Sequence, residues 1–214
     1  MNALQLQAIQ KGLEEMSQTL AMIGEDVSEI AKGQQNDRIG LYHAGLDLYL
    51  ESKVIGDSNF RKLIAAQALK SLSDANAQMV EEIESHIRYL LEGKYNKKGN
   101  RTKAIRERLG NINKCFEVIH HSTVLKAAVY FEENEVPAML ATIDKYGNFL
   151  ESTIVPNVTT LAEHDASDTL LTNGFWENRA KSLLVVEDIR NQLTGTNCFF
   201  LEAESETESG NNER

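Results

Sequence analysis

The sequence predicts an all-α protein, an elongated helical bundle that carries a coiled-coil segment and a long αα-hairpin. Three observations predict this class. Apolar residues alternate at spacings of three and four from Leu6 to Ile30, helical apolar periodicity returns between Phe60 and Val129, and Pro137 and Pro156 are the two prolines of the chain. Proline inside a helix removes a hydrogen bond and clashes with the preceding turn. The first 136 residues can therefore be helical wherever the apolar pattern agrees.

The N-terminal repeat has the heptad pattern of a coiled coil. Its a positions hold leucine or valine and its d positions isoleucine or methionine. This combination disfavours a parallel coiled coil of two helices and favours one of three or four helices. The e and g positions are mostly small and uncharged, where a solvated two-helix coil would carry Glu and Lys. We expect an interface seam buried among several helices, formed by Leu6, Ile9, Leu13, Met16, Leu20, Ile23, Val27 and Ile30.

A polar break at residues 33–37 separates this repeat from the next helix. Residues 39–53 fit a helix, although Leu46, Leu48 and Leu50 also alternate as they would in a strand. We favour the helix. The turn at residues 54–59 contains N-cap candidates in its Gly-Asp-Ser-Asn sequence.

The apolar positions after that turn predict a helix of roughly 34 residues that ends near Gly93, about 50 Å long at 1.5 Å per residue. Beyond a basic loop, the stripe that begins at Ile105 predicts a second long helix, which Pro137 stops. Two long helices joined by a short loop make an αα-hairpin. Pro137 can itself begin a short helix that ends at Tyr146 and Gly147.

The chain changes character after this hairpin. Residues 149–161 are rich in β-branched side chains and contain Pro156, which predicts an extended connection or a weak pair of strands. Residues 176–193 predict a last helix, and residues 202–214 form an acidic tail whose composition is typical of disorder. We divide the chain into a coiled-coil-like helix (1–36), a helical-hairpin bundle (37–147), a C-terminal segment that packs on it (148–201) and the tail (202–214).

Charge restricts the partners. The net charge of −10 argues against nucleic acid as the main partner, but seven basic side chains stand against Glu107 alone within residues 94–108: Lys94, Lys97, Lys98, Arg101, Lys103, Arg106 and Arg108. This basic segment is a candidate anion-binding site for nucleic acid or anionic membrane. We favour a solvated or intramolecular role, because runs of Lys and Arg beside helices are usually exposed faces.

The sequence contains only weak matches to metal-binding and acid–base motifs. Glu117 and His120 have the Glu-x-x-His spacing of di-iron bundles, but a second copy is missing from the sequence. Glu82 and His86 are a carboxylate and an imidazole four residues apart, a spacing that is common by chance in helices. We interpret the polar cluster Glu163-His164-Asp165 as capping residues rather than acid–base residues.

The sequence contains neither a Gly-x-Ser-x-Gly elbow nor a phosphate-binding glycine loop. We therefore predict no catalytic residue, metal, cofactor or small-molecule substrate. Cys115 and Cys198 are interpreted as reduced packing residues, and we expect a cytoplasmic protein because a signal peptide is not apparent.

The hypothesis that remains is a non-enzymatic interaction protein that self-associates or binds a partner protein through amphipathic helices. The alternative is binding of nucleic acid or anionic membrane through the basic segment. That alternative includes a helical pore former, in which the mildly apolar residues 118–131 would be exposed by rearrangement.

Overall fold

The computed structural model describes residues 37–93 and 101–168, and within the last helical region residues 176, 180–184, 186–187 and 191. The seam residues Leu6 to Ile30 lie outside the described residues. The described part is all-α, as the sequence predicts, with no strand. Its helices are α1 (Asp37–Val54), α2 (Ser58–Leu91), α3 (Arg101–Glu132), α4 (Val136–Phe149) and α5 (Val158–Asp168).

Helices α1 and α2 form an antiparallel pair joined by three residues. The predicted helix over residues 39–53 is confirmed, and the strand-like alternation of its leucines is overridden. The two helices approach closely at Gly45, which is buried against Leu72. The Ser71 hydroxyl donates a hydrogen bond to the Leu41 carbonyl across the pair, at 2.7 Å. A residue without a side chain at position 45 therefore sets how near α1 lies to α2.

Helix α2 has the length that the sequence predicts, 34 residues. The predicted cap is also confirmed, because the Asp57 carboxylate accepts a hydrogen bond from the Phe60 N–H at 2.7 Å. Gly93 follows the last turn with a φ of 62°, a left-handed conformation that glycine adopts without strain. Buried residues recur every three or four positions along the helix, including Leu72, Ala75, Met79, Ile83, Ile87 and Leu90.

Helix α3 lies at the centre of the bundle and packs against α1, α2, α4 and α5. Its predicted stripe is confirmed, and all five side chains are buried: Ile105, Leu109, Ile112, Phe116 and Ile119. The helix ends at Glu132, before the predicted stop at Pro137, because Asn134 turns the chain with a φ of 61°. Pro137 then occupies the first turn of α4, where a missing N–H costs nothing.

Two predictions for the following residues are wrong. Helix α4 does not end at Tyr146 and Gly147 but continues to Phe149, and residues 149–161 are neither extended nor paired as strands. A π-helical turn (Leu150–Ile154) and a 3-10 turn (Val155–Asn157) connect α4 directly to α5. Burial explains the difference, because Leu150, Ile154 and Leu161 are buried in the core in the helical conformation.

Pro156 is accommodated by a change in the type of helix. Proline lacks an N–H and its ring clashes with the carbonyl of the preceding turn. The chain widens into the π turn before Pro156 and tightens into the 3-10 turn around it. The Asn157 amide donates to the Thr153 carbonyl at 2.8 Å and satisfies one backbone acceptor in this region. β-branched content alone therefore did not indicate a strand here.

Candidate functional site

A partly open cavity of about 400 Å³ lies where α2, α3 and α4 meet. Each helix contributes residues at intervals of about three or four positions, which places them on one helical face. The volume is within the range of about 300–1,000 Å³ that is typical of small-molecule sites. We call this space the interhelical cavity; it is lined by Asn76, Ala77, Val80, Glu81, Glu84, Ile119, Thr123, Lys126, Thr142, Lys145, Tyr146 and Phe149.

Lys126 is the unusual residue of the interhelical cavity. The side chain is only 8% exposed, because it follows Ile119 and Thr123 on the face of α3 that lines the cavity. Within the described residues, no carboxylate forms an ion pair with it. Burial and the nearby Lys145 ammonium both lower the pKa of Lys126. A buried cation without a counter-ion is costly, and such groups occur more often at functional sites than elsewhere.

The other polar atoms of the cavity differ in whether they already have partners. The Thr123 hydroxyl donates to the Ile119 carbonyl at 2.8 Å, and the Thr142 hydroxyl donates to a carbonyl of its own helix at 3.0 Å. The Asn76 Oδ1 atom is buried and accepts no hydrogen bond from the described part of the chain. The Lys126 ammonium and the Asn76 oxygen are therefore the groups best placed to contact a ligand.

The rim of the interhelical cavity carries both signs of charge. Glu81 and Glu84 of α2 and Lys145 of α4 are exposed. Together with Lys126 they give two negative and two positive side chains, so their formal charges cancel. The apolar wall is formed by Val80, Ile119 and Phe149 among others.

Tyr146 is held at the cavity wall by a buried histidine. The His120 Nδ1 and the Tyr146 hydroxyl oxygen are 2.5 Å apart, and both side chains are almost completely buried. The His120 ring is also stacked with Phe116, with the two planes 17° apart. These contacts give Tyr146 one orientation, which contributes a rigid wall between α3 and α4.

A smaller cavity of about 220 Å³ lies at the C-terminal end of α3, beside residues of α1 and α2. Glu132 forms an ion pair with Lys53 and accepts a hydrogen bond from the Tyr49 hydroxyl at 3.2 Å. Burial alone would lower the pKa of Lys53, but the hydrogen bonds with Glu132 and Tyr49 outweigh it, and the pKa is raised. Lys53 and Glu132 of this cavity are paired with each other, and we assign the cavity a structural role.

An exposed group of large apolar side chains lies near the turn between α1 and α2. Leu50 and Val54 lie one helical turn apart at the end of α1, and Phe60 and Leu63 lie one turn apart at the start of α2. They are 54%, 84%, 51% and 54% exposed. Isolated apolar residues are normal on protein surfaces, but several in one region suggest a contact. We call these four residues the apolar tip.

The structure describes four of the seven residues of the predicted basic segment, and these four differ in exposure. Arg101, Lys103 and Arg106 are exposed on the first turns of α3, whereas Lys94, Lys97 and Lys98 lie outside the described residues. Arg108 is half-buried. Its guanidinium donates to the His86 Nδ1 at 2.7 Å and lies 4.3 Å from the centre of the Tyr89 ring. Arg108 is therefore engaged within the bundle.

The carboxylate–histidine pairs are parts of the packed structure. His86 Nε2 lies 3.4 Å from a Glu82 oxygen, while its Nδ1 contacts Arg108. The Glu117 carboxylate accepts a hydrogen bond from the Asn113 amide at 2.8 Å, and His120 contacts Tyr146 instead of a metal-ligand partner. Across residues 37–93 and 101–168, no three His, Cys, Asp or Glu side chains are grouped as metal ligands would be.

The capping interpretation of Glu163-His164-Asp165 is wrong. These residues lie inside α5, which begins at Val158. Because residues 149–161 were predicted to be extended, the start of a following helix was expected after residue 161 and not at Val158. The helix instead continues from the 3-10 turn without a polar cap at residue 163.

Sequence reasoning missed Lys126 as a site residue. One pattern could have identified it: Lys126 lies seven residues after Ile119 and therefore on a buried face of the same helix. Residues 118–131 belong to the central helix of the bundle, and none of the described helices has the length and apolar character of a membrane span.

The fold and the cavity define an all-helical bundle with a pocket between three of its helices. Comparison of the chain with protein-family models, with curated proteins and with solved structures gives no match.

Proposed function

We propose that this is a non-enzymatic interaction protein that self-associates through amphipathic helices, with the Leu6–Ile30 seam as its main contact. The apolar tip is the structural observation that best supports this proposal. Monomeric proteins rarely leave several large apolar side chains exposed together, and Leu50, Val54, Phe60 and Leu63 are each more than half exposed. The tip provides a second apolar surface that the seam of another copy can cover.

The heptad chemistry of the seam supports the same proposal. Eight apolar residues at alternating spacings of three and four form one stripe, and burying such a stripe against other helices is the usual source of stability in a coiled coil. Leucine at a with isoleucine at d favours more than two helices. The proposed assembly therefore contains at least three helices around the seam, supplied by two or more copies.

Replacement of Leu13 and Leu20 by aspartate tests the seam. We expect light scattering to give the mass of an oligomer for the wild type and the mass of one chain for the double variant. The variant would have to bury two carboxylates without partners in the assembly. Gln7→Asp with Gln18→Asp is the matched control, since these b and f positions face away from the stripe. A wild-type protein with the mass of one chain, or an oligomer that survives Leu13→Asp with Leu20→Asp, would refute self-association.

A second double variant tests the apolar tip. Phe60→Ser with Leu63→Ser should weaken the oligomer so that it dissociates at higher protein concentration than the wild type. The control is Ala66→Ser with Gln67→Ser, at exposed positions of the same helix. Equal dissociation concentrations for tip variant, control and wild type would exclude the tip from the interface.

Binding of nucleic acid or anionic membrane is a second candidate function. The observation that favours it is the exposure of Arg101, Lys103 and Arg106 at the start of α3. Charge reversal at Lys97, Lys98 and Arg101 should abolish a salt-sensitive interaction with single-stranded RNA or with vesicles that contain phosphatidylserine. Lys70→Glu, at an exposed site on α2, is the control. Absent or salt-independent binding by the wild type would exclude this function.

A further inference from the structure

We propose that the interhelical cavity binds a small monocarboxylate with an apolar body, whose carboxylate pairs with the Lys126 ammonium. The sequence suggested no small-molecule ligand, because none of the residues involved forms a motif. The inference comes from where α2, α3 and α4 place those residues. It is independent of self-association.

Lys126 is a buried cation at the wall of the interhelical cavity. Its side chain is 8% exposed and lines the cavity without an ion pair to any described carboxylate. Lysine is rarely this buried unless a partner offsets the loss of hydration. The nearby Lys145 adds repulsion. A ligand carboxylate would provide the missing counter-charge through a charge-assisted hydrogen bond.

The apolar wall of the cavity indicates that the ligand has an apolar body. Val80, Ile119 and Phe149 come from three different helices and converge on one space of about 400 Å³. Small-molecule sites combine such an apolar lining with a few polar groups that fix the orientation of the ligand. A ligand with a phenyl ring or a short alkyl chain would cover this wall while its carboxylate reached Lys126.

Asn76 and the rim glutamates restrict the chemical class of the ligand further. The buried Asn76 Oδ1 lacks a donor within the described residues, so a hydroxyl or amino group beside the carboxylate would satisfy it. Glu81 and Glu84 at the rim balance the two lysines of the cavity, so the lining has no excess positive charge to offset several negative charges on one ligand. This disfavours nucleotides and other polyphosphates. Hydroxy acids and amino acids with apolar side chains have the required chemistry.

Calorimetry with phenyllactate as the probe tests the proposal on the full chain. The matched probe is 3-phenylpropane-1,2-diol, which keeps the ring and the hydroxyl but replaces the carboxylate by a neutral alcohol. We expect wild-type protein to bind phenyllactate at least tenfold more tightly than the diol, a difference of about 1.4 kcal/mol. Because this comparison uses wild-type protein alone, it does not depend on how a variant folds.

Lys126→Met then assigns the difference to one side chain, with Lys70→Met on the exposed face of α2 as the control. We expect Lys126→Met to weaken phenyllactate binding about tenfold while the weaker diol binding stays the same, and Lys70→Met to change neither. The proposal is overturned if phenyllactate does not bind, or if acid and diol bind the wild type equally. It is also overturned if Lys126→Met leaves phenyllactate binding unchanged or weakens both probes equally.

Discussion

Gly45→Ala would test how closely α1 packs on α2. A Cβ atom at position 45 would lie 2.7 Å from Cγ and 2.8 Å from Cδ2 of Leu72, and 3.2 Å from the Leu72 backbone nitrogen. Leu72 is fully buried, so its side chain cannot move into solvent. The added methyl group must therefore push the two helices apart or force Leu72 out of its rotamer.

Two opposing effects determine the magnitude. Overpacking of a core costs about 1–3 kcal/mol, whereas alanine is more favourable than glycine in a helix by about 1 kcal/mol. Gly40→Ala separates them, because Gly40 lies in the same helix and is exposed, and a Cβ atom there would meet no packed neighbour among the described residues within 4 Å. We expect Gly40→Ala to stabilise the protein and Gly45→Ala to be less stable than Gly40→Ala by about 1–3 kcal/mol.

Urea unfolding followed by far-ultraviolet circular dichroism measures this difference directly. In thermal unfolding, each kcal/mol corresponds to about 2–4 °C for a protein of this size. The fluorescence of Trp176, the single and buried tryptophan, offers a second probe of the same transition. If Gly45→Ala were as stable as Gly40→Ala, α1 and α2 would not be in the close contact from which the cost was derived.

Three further predictions concern single side chains. Asp57→Ala should reduce the free energy of unfolding by about 1 kcal/mol in urea titrations, because the cap on the Phe60 N–H is lost; an unchanged value would argue against the cap. Burial lowers the pKa of His121 from 6.5, so the unfolded chain binds a proton that the folded chain excludes, and stability should fall as the pH drops below about 6.5. His121→Gln should lessen that fall in acid unfolding curves, and an identical pH profile would contradict this. Burial and Lys145 lower the pKa of Lys126, so stability should rise with pH between the folded pKa and about 10.5; Lys126→Met should flatten this rise and stabilise the protein at neutral pH by about 1–3 kcal/mol, whereas lower stability would show that the ammonium is favourably paired.

The helices of the hairpin were predictable because their determinants are local. A buried stripe at every third or fourth position marks α2 and α3, the side chain of Asp57 caps α2, and Pro137 belongs to a first helical turn. Each of these depends on residues within a few positions of one another. Their geometry follows from helical periodicity and from the proline ring, whatever the rest of the chain does.

The segment around Pro156 was not predictable in the same way. Its β-branched composition favours a strand locally, but burial of Leu150, Ile154 and Leu161 against the bundle keeps it helical. Intrinsic preferences differ by roughly 1 kcal/mol per residue or less, whereas burying one large apolar side chain contributes about 1.5–3 kcal/mol. Tertiary burial therefore decided the local structure.

The sequence by itself determined the helical class of this protein, the order of its long helices and the N-terminal cap of α2. Only the tertiary structure placed Lys126, Asn76 and Phe149 around one cavity, because they lie on three different helices and as many as 73 positions apart. It also showed that Arg108, a candidate anion-binding residue in the sequence, is hydrogen-bonded to His86 within the bundle. Periodicity shows which face of a helix is buried, but it does not show which faces meet. That depends on how the helices pack together, and the proposed ligand site exists only at their junction.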